Sequence, residues 1–532
     1  MLWKKESNGN NALYVDLFRM ESNRVREPVD TQYILTKMSK MKHNASGLYY
    51  KNNYAANQAR QEGNKKFEKN QFVDAMEWYN KSLCFATMGA QPMGLAYANR
   101  SACFLEMKMF KRCLADIELA QKNKYPGTLM KKLKNRKIEC LKLMEAEEDQ
   151  GDRLSAQLDF ERHVEVPCMA SVVGFRSNGV SGRHIVATED IEIGKTLMVE
   201  QCYFGVTQYD HYKSCNICFK ENRNLVPCSK CTSALFCPDC KQNDLHEIEC
   251  DMNLGCPAGF KLLDVVRSIS LAKNAFTKAD DLISFVEDML KGDTMEFPSN
   301  LDDQQSKYRA FFKLCPHWQT YELHLQHVYL FHQLLLEQAN MKAFFHTEAH
   351  SRFLMHLVQH HISMILRGSF NKRTAPIGGE NISDTYVNIV AKNLNHSCTP
   401  NVCHFFKDGY IKCITVRPIK KDEQLFISYV TWDFYRCEIE RQIILLSRFV
   451  NCKCERCNLH EMKSNRQMQL DLDFQQVDKM FDMEKLVYGL YERKQIDLMI
   501  EKSFSVLNKF GQMNWSSEID RIVHVLSFLL SD

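Results

Sequence analysis

The sequence predicts a multidomain α+β protein, with helical repeats first, then a split β-rich domain carrying an inserted cysteine-rich module, then a helical C-terminal region. Its 532 residues exceed the roughly 250 to 300 residues at which a single core stops growing. The apolar periodicity changes from helical to strand-like near residue 163 and changes again further along the chain. The cysteines concentrate in separate groups rather than spreading evenly, which indicates metal-binding modules within the fold.

Composition and charge exclude several classes of protein. The chain is 45% hydrophobic and 25% charged, which is typical of a folded protein. A formal net charge of +4 argues against direct DNA binding. The sequence shows no apolar run of about 18 residues and no secretory signal, so we expect no membrane insertion and a cytoplasmic and nuclear location. In such a protein, 22 cysteines suggest metal ligands rather than disulfides.

Residues 54–145 have the periodicity of paired helices. Small and aromatic residues recur at matching places in "ARQEGNKKFEKNQFVDAMEWYNKSL" and "GLAYANRSACFLEMKMFKRCLADIELAQ". The pattern resembles tetratricopeptide repeats, because small residues must recur where two helices cross closely. A plain helical bundle is the alternative. Residues 1–53 form an N-terminal extension to which the sequence assigns no role.

Strand-like runs punctuated by glycine and asparagine occupy residues 163–208. A cysteine-rich module follows at residues 215–250, with three C-x2-C pairs and a closing His-x3-Cys. Eight ligands of this kind fill two closed tetrahedral sites, which indicates structural zinc. Redox-active or unligated cysteines are the alternative. The eight candidate ligands are Cys215, Cys218, Cys228, Cys231, Cys237, Cys240, His246 and Cys250.

The second half of the chain alternates between helix and strand. Residues 251–375 are predicted to be helical, strands return at 376–432, and helices complete the chain at 459–532. Between them, residues 433–458 contain "NCKCERC", which places Cys452, Cys454 and Cys457 in a C-x-C-x2-C spacing. Since tetrahedral zinc takes four ligands, this third cysteine group is one ligand short.

Together these motifs resemble a known family. The cysteine module resembles a MYND finger, and "NLNHSCTPNV" is similar to the cofactor motif of the SET methyltransferases. "DEQLFISY" is similar to the SET strand that ends in a catalytic tyrosine. A MYND finger inside a split SET domain is identified with the SMYD family, and the N-terminal repeats point to its type-four branch.

The resemblance implies how the zinc ligands are shared. MYND cross-bracing would place the first two and the fifth and sixth ligands on one zinc, and the other four on a second. In the SET family the cysteine of the N-H-S-C motif, here Cys398, completes the third site. About three structural zinc ions are therefore expected. MYND fingers also bind short proline-containing peptides, so this module is expected to recruit partners.

The resemblance also implies an activity, the transfer of a methyl group from S-adenosylmethionine to a lysine of a protein substrate. The target amine must be neutral and correctly placed, so the expected work is positioning and desolvation. Tyr429 is the candidate catalytic residue. The candidate cofactor-binding residues are Gly182, Arg183, His184, Asn395, His396 and Tyr429. Histones are candidate substrates, deacetylase complexes are candidate partners, and transcriptional regulation is a candidate role.

Some positions depart from the family pattern. His184 stands where a glycine is usual beside the cofactor. Arg448 and Val450 replace an aromatic pair that narrows the lysine channel. These changes indicate altered substrate choice, a weakened enzyme, or a catalytically silent scaffold in which the module recruits partners. The scaffold is therefore the alternative to the methyltransferase.

The helical repeats also contain a candidate peptide clamp. Some tetratricopeptide domains hold the acidic C-terminal tails of chaperones with five polar residues, and amide and cationic donors suit a terminal carboxylate. The alternative is that the basic stretch "MKKLKNRK" is only a solvated helix face. The five candidate residues are Arg60, Asn64, Asn99, Lys132 and Arg136.

Overall fold

The computed structural model describes most of the chain from residue 50 onward. Helices at both ends and small sheets between them confirm the predicted α+β class. Within the described ranges, no helix is long and apolar enough to cross a membrane. The predicted extension lies outside the described residues as far as residue 49. The described residues are 50–149, 157–178, 182–207, 212–241, 245–252, 262–291, 297, 300–314, 325–374, 382–430, 438–446, 448, 450–458, 464–482, 485, 491 and 493–530.

The N-terminal unit consists of helices that pack against their neighbours along the chain. The first begins after Asn52, whose Oδ1 accepts hydrogen bonds from the amides of Tyr54 and Ala55. The first two helices cross so closely that a Cβ on Gly63 would lie 2.5 Å from the ring of Tyr79. This close crossing is consistent with tetratricopeptide repeats. The helices are α1 (Asn53–Glu68), α2 (Phe72–Phe85), α3 (Gln91–Glu106), α4 (Phe110–Lys122) and α5 (Met130–Ala146).

Short strands form the β-rich domain and the hairpin of the cysteine module. They are β1 (Val173–Asn178), β2 (Gly182–Ala187), β3 (Thr196–Gln201), β4 (Phe204–Val206), β5 (Val226–Pro227), β6 (Leu235–Phe236), β7 (Ser369–Thr374), β8 (Ile382–Val387), β9 (Asn395–His396), β10 (Val402–Lys407), β11 (Tyr410–Thr415) and β12 (Phe426–Ile427). Two sheets have the strand orders β10-β11-β3 and β4-β8-β7, and β1 pairs with β2. Both three-stranded sheets join the part of the domain before the module to the part after it. The domain is thus split in sequence and continuous in space.

The cysteine module lies against the N-terminal helices through buried polar contacts. Arg100 is 0% exposed, and its Nε lies 2.7 Å from Oδ2 of Asp116. Its Nη1 also donates to the carbonyl oxygen of Leu225 in the module, at 2.9 Å. Asn80 Nδ2 donates to the carbonyl oxygen of Tyr212 at 2.6 Å. These contacts orient the module on the helical unit.

A helical layer separates the module from the second half of the β-rich domain. Its apolar faces join those of the sheets in the main core. β7 follows directly on the last of these helices, so the strands resume at Ser369, ahead of the expected boundary at 376. The helices are α6 (Leu245–Met252), α7 (Leu262–Asn274), α8 (Ala279–Lys291), α9 (Gln304–Phe312), α10 (Leu325–Leu336), α11 (Ala339–Phe344) and α12 (Glu348–Gly368).

The C-terminal helices form a separate core that also covers one side of the β-rich domain. Trp515 packs in this core together with Cys403 and Val416, which belong to the β-rich domain. A buried ion pair joins Arg456 to Asp520, with Nη1 and Oδ1 2.9 Å apart. The helices are α13 (Glu438–Leu446), α14 (Glu455–Asn458), α15 (Arg466–Leu470), α16 (Leu472–Met480), α17 (Arg493–Phe510) and α18 (Ser517–Leu529).

Candidate active site and zinc sites

Three groups of four zinc-ligand side chains converge in the described part of the chain. In each group the four sulfur or nitrogen atoms all lie within 4.8 Å of one another. Both module groups have the cross-braced pairing that the resemblance implied, and Cys398 joins the three downstream cysteines. The groups are Cys215, Cys218, Cys237 and Cys240; Cys228, Cys231, His246 and Cys250; and Cys398, Cys452, Cys454 and Cys457.

The separations between these atoms fit tetrahedral zinc. Zn–S bonds of about 2.3 Å place two sulfur atoms about 3.8 Å apart at the tetrahedral angle, whereas a disulfide holds them about 2.05 Å apart. The Sγ atoms of Cys218 and Cys237 lie 3.6 Å apart, and those of Cys398 and Cys457 also 3.6 Å apart. With four protein ligands each, the sites leave no open coordination position and are structural.

A carboxylate supports the histidine ligand of the second module site. Glu249 Oε2 lies 3.6 Å from Nδ1 of His246, and the same carboxylate is paired with the buried guanidinium of Arg267. Nε2 of His246 lies 3.4 Å from Sγ of Cys231. A carboxylate near the distal nitrogen orients the imidazole so that the other nitrogen faces the metal.

The N-H-S-C segment is held between a strand and the third zinc site. β9, which consists of Asn395 and His396, runs parallel to β12. The amide of Ser397 donates to the carbonyl oxygen of Ile427 at 3.0 Å. Cys398 follows directly and enters the third zinc group. The segment is therefore fixed at both ends.

Tyr429 follows β12, and two hydrogen bonds connect it to the same segment. Its N–H donates to Nδ1 of His396 at 2.9 Å, and its hydroxyl donates to the carbonyl oxygen of Leu394 at 2.8 Å. Burial lowers the pKa of His396 to about 4, so the ring is neutral near pH 7. Since Nδ1 accepts, the ring proton is on Nε2, which lies 3.3 Å from Sγ of Cys398. One imidazole thus connects Tyr429 to a zinc ligand.

Strand β2 brings the opening motif to this segment. Arg183 Nε donates to Oδ1 of Asn393 at 2.6 Å, and its guanidinium lies 5.1 Å from the ring centre of Phe297. Gly182 has φ +61°, and among the described residues a Cβ there would meet nothing within 4 Å. His184 is 5% exposed, and its Nδ1 lies 2.9 Å from the carbonyl oxygen of Gly182. The His184 ring therefore contacts the backbone of its own strand.

These groups fit S-adenosylmethionine, the cofactor that the resemblance implies. The guanidinium of Arg183 suits its carboxylate, and the half-buried amide of Asn395 offers both a donor and an acceptor. No described residue fills the space that a Cβ on Gly182 would take. Tyr429 contributes a hydroxyl and an aromatic face.

The two other unusual positions differ in their surroundings. The guanidinium carbon of Arg448 lies 5.7 Å from the ring centre of Tyr429, and its Nη1 donates to the carbonyl oxygen of Ser369 at 3.3 Å. Burial lowers the pKa of Arg448. Val450 is half-buried and packs on the apolar cluster around Cys398. Arg448 therefore faces the candidate catalytic tyrosine, whereas Val450 faces the zinc site.

Sequence reasoning missed Glu200, which supports the turn ahead of Asn395. Glu200 is 4% exposed on β3. Its Oε1 accepts the amides of Ile389 and Val390 at 2.8 and 2.9 Å, and its Oε2 accepts that of Ala391 at 2.7 Å. Burial raises the pKa of Glu200 to about 7. A glutamate directly after the apolar run "LMV" of this strand is the signal that could have identified it.

Replacing Glu200 with glutamine should destabilise the protein, and more so at low pH. The amide NH2 would face the Ala391 amide, so we expect a loss of about 2 kcal/mol in unfolding free energy at pH 5. The folded pKa of about 7 exceeds the ordinary 4.5, so the stability from this group is present below pH 4.5 and is lost as the pH rises through 7. The difference in unfolding free energy between the wild type and Glu200→Gln should therefore shrink by about 2 kcal/mol between pH 5 and pH 8.

Urea denaturation at the two pH values measures this difference. Glu192→Gln is the matched control, because the Glu192 side chain is 87% exposed and should change stability little at either pH. A Glu200→Gln effect that is the same at pH 5 and pH 8 would contradict the assignment.

The predicted clamp residues lie around Tyr79. Asn64 Oδ1 accepts the hydroxyl of Tyr79 at 3.0 Å and Nδ2 of Asn99 at 2.8 Å. Burial raises the pKa of Tyr79, while the charges of Arg60 and Arg136 oppose that rise. Two amides and two guanidinium groups therefore surround one phenol.

The last clamp candidates lie on α5. Arg136 is half-buried, and its Nη1 donates to Oγ of Ser101 at 3.0 Å. Lys132 lies exposed four residues earlier, on the same face of the helix. Arg136 and Lys132 thus share one face of α5, the first half-buried and the second exposed.

Comparison with known proteins finds a matching domain family and several relatives. The SET domain family matches residues 182–430. "Protein-lysine N-methyltransferase SMYD4" of Mus musculus is 24% identical over 584 residues, covering 84% of this chain and 72% of that protein. The protein of the same name from Danio rerio is 28% identical over 240 residues, 40% of this chain and 30% of the relative. "N-lysine methyltransferase SMYD2" of Gallus gallus is 23% identical over 306 residues, 56% of this chain and 62% of the relative.

The match to the SET domain begins at β2 and ends just after Tyr429, and so it spans the inserted cysteine module. The relatives from Mus musculus and Gallus gallus carry SMYD names, and the chain has the three zinc-ligand groups described above. The chain therefore carries a SET domain at residues 182–430 and is similar to a SMYD protein over 84% of its length.

Proposed function

We propose that this chain is a protein-lysine N-methyltransferase that uses S-adenosylmethionine. The observation that carries the proposal is the position of Tyr429, bonded through its amide to His396 and through its hydroxyl to the carbonyl oxygen beside Asn395. The names of the relatives from Mus musculus and Gallus gallus support the same activity.

The chain's own residues supply positioning. S-adenosylmethionine supplies an activated methyl group when it is bound. Arg183 and Asn395 orient that cofactor, and the Tyr429 hydroxyl, held by the carbonyl of Leu394, defines where the target amine sits. The nearby apolar core and the cations beside Tyr429 favour the neutral form of an entering lysine, which is the nucleophilic form.

Tyr429→Phe should lower the methyl-transfer rate about a hundredfold, because the hydroxyl that orients the amine is removed. Affinity for S-adenosylhomocysteine, measured by calorimetry, should change by less than about threefold, since the ring remains. Automethylation or transfer to a histone mixture provides the rate.

Tyr410→Phe is the matched control, because Tyr410 is on β11, which pairs with β10 and β3 rather than with the motif strands β9 and β12. Failure of the wild-type protein to bind S-adenosylhomocysteine would reject the proposed enzyme activity and favour the catalytically silent scaffold. Full activity in Tyr429→Phe would show that Tyr429 has no catalytic role, and it would leave the proposed enzyme activity standing.

We further propose that the N-terminal helices bind acidic C-terminal tails, as on chaperones. Asn64 and Asn99 are within hydrogen-bond distance of each other. Burial raises the pKa of the neighbouring Tyr79, and the charges of Arg60 and Arg136 both oppose that rise. Amide and guanidinium donors grouped in this way suit the two carboxylates of a terminal acidic residue.

Calorimetry with an acidic C-terminal peptide tests the clamp, and the same peptide with an amidated C-terminus removes one carboxylate. Charge reversal of Lys132 and Arg136 to glutamate should weaken binding at least tenfold. The same reversal at the exposed Lys131 and Lys137 should not. Equal binding of the free and amidated peptides would reject the clamp in favour of a nonspecific basic face.

The other expectations complete the proposal. Substrates are proteins, with histones as candidates, and proline-containing peptides and deacetylase complexes are candidate ligands of the cysteine module. We propose a cytoplasmic and nuclear location and a role in transcriptional regulation. Fractionation of cells expressing the tagged full chain, followed by identification of methylated proteins, tests these points together.

A further inference from the structure

Two cationic side chains face the ring of Tyr429 from different parts of the chain. The Nζ of Lys392 lies 4.5 Å from the centre of that ring and 5.6 Å from the centre of the Phe370 ring. The guanidinium carbon of Arg448 lies 5.7 Å from the Tyr429 ring centre. Cations at such distances are held by the negative faces of aromatic rings. We call Lys392 and Arg448 the cationic pair.

The surroundings of the cationic pair are partly desolvated. Both residues are half-buried, and burial lowers the pKa of Arg448. The neighbouring His404 ring, 5.3 Å from Phe370, adds no charge near pH 7, because burial and the charges of Arg448 and Lys392 lower its pKa to about 4. Charges in such surroundings are screened less than those on an open surface.

Arg448 retains hydrogen-bonding capacity toward a ligand. Among the described residues, its guanidinium donates one hydrogen bond, to the carbonyl oxygen of Ser369 at 3.3 Å. Guanidinium presents five N–H donors in a fork that matches a carboxylate. A peptide side chain reaching Tyr429 would therefore meet both positive charge and guanidinium N–H groups that no described residue occupies.

We propose that the cationic pair of Lys392 and Arg448 selects substrates that carry a carboxylate side chain next to the target lysine. This inference rests on the proposed function, because it takes Tyr429 as the place where the target lysine enters. A lysine flanked by arginine or lysine is repelled by the pair, and a lysine flanked by glutamate or aspartate is attracted. The pair thus defines the substrate class as acidic peptide segments.

Fluorescence anisotropy with labelled peptides tests the preference without requiring methyl transfer. Three peptides share one sequence around a central lysine and differ only in its two neighbours, which are glutamate, glutamine or arginine. In the presence of S-adenosylhomocysteine, the full-length protein should bind the glutamate peptide about tenfold more tightly than the glutamine peptide, and the arginine peptide most weakly. The preference should shrink as the salt concentration rises.

Variants assign the preference to the pair. Lys392→Met with Arg448→Met should reduce the difference between the glutamate and glutamine peptides to less than twofold. Lys392→Glu should favour the arginine peptide, an inversion that a merely structural role of Lys392 would not produce. Lys421→Met is the matched control, because Lys421 is exposed and should leave the preference intact. Zinc content and circular dichroism verify that each variant is folded.

The outcomes separate this inference from the proposed function. Absence of a preference in the wild-type protein, absence of binding by all three peptides, or a preference that survives the double variant would overturn the inference. Methyl transfer in the same samples reports on the enzyme independently. Transfer without a preference would reject the cationic pair and keep the enzyme. A preference without transfer would keep the pair as a peptide-binding feature and count against methyl transfer to these peptides.

Discussion

Replacing Cys398 with serine should remove one zinc ion of three and weaken cofactor binding at the same time. Cys398 belongs to the third zinc group, and its Sγ lies 3.3 Å from Nε2 of His396, whose Nδ1 accepts the amide of Tyr429. Losing a ligand of structural zinc removes folding energy, and we expect a loss of several kcal/mol in unfolding free energy. Affinity for S-adenosylhomocysteine should fall at least tenfold, because the segment around Asn395 loses its anchor.

Metal analysis, urea denaturation and calorimetry on one preparation measure the three effects. Cys403→Ser is the matched control, since Cys403 is 5% exposed in the C-terminal core and outside the three zinc groups. It should keep three zinc ions and cofactor affinity while losing some packing. A folded Cys398→Ser protein with unchanged cofactor affinity would show that the zinc site and the cofactor segment are not coupled.

Replacing Arg100 with methionine should be about as damaging to stability, by a different mechanism. The Arg100 guanidinium is fully buried and bonds both carboxylate oxygens of Asp116, at 2.7 and 2.8 Å. Methionine keeps much of the apolar volume and leaves the Asp116 charge buried without its partner. Breaking a buried ion pair in this way costs roughly 3 to 5 kcal/mol. The carbonyl oxygen of Leu225 also loses its donor, so the cysteine module should detach more readily from the helices.

A double variant distinguishes charge from packing. Arg100→Met combined with Asp116→Leu removes both charges and should recover most of the lost unfolding free energy. Thermal unfolding measures the recovery, and limited proteolysis reports whether the module and the helices still protect each other. If the double variant is less stable than Arg100→Met alone, the ion pair is not the cause.

Local sequence patterns predicted the zinc ligands, the fold class and the motif residues of this protein. Zinc ligands must come in short C-x2-C steps, because two ligands of one metal have to lie close together on a tight turn. Helical and strand periodicity follows from which face of an element is buried, so the α+β class was predictable. The motifs around Asn395 and Tyr429 were recognised by resemblance, and they converge in the structure on one segment.

Other features depend on residues that are far apart in the chain. Glu200 supports amides nearly two hundred residues away, and Arg100 reaches across from a helix to the module. Neither contact produces a periodic pattern in the sequence. A single charged residue that becomes buried cannot be distinguished from an exposed polar residue until its partner is known. The same holds for Arg448, which the sequence marked only as an unusual residue beside the expected channel.

The sequence by itself determined which side chains can hold zinc, where helices and strands alternate, and which motif residues carry the candidate chemistry. Only the tertiary structure decided that His396 connects Tyr429 to Cys398, that Glu200 holds the turn ahead of them, and that Lys392 and Arg448 face one aromatic ring. The physical reason is that ligand spacing and burial periodicity are local properties of the chain. The partner of a buried charge or imidazole is instead set by how distant segments pack.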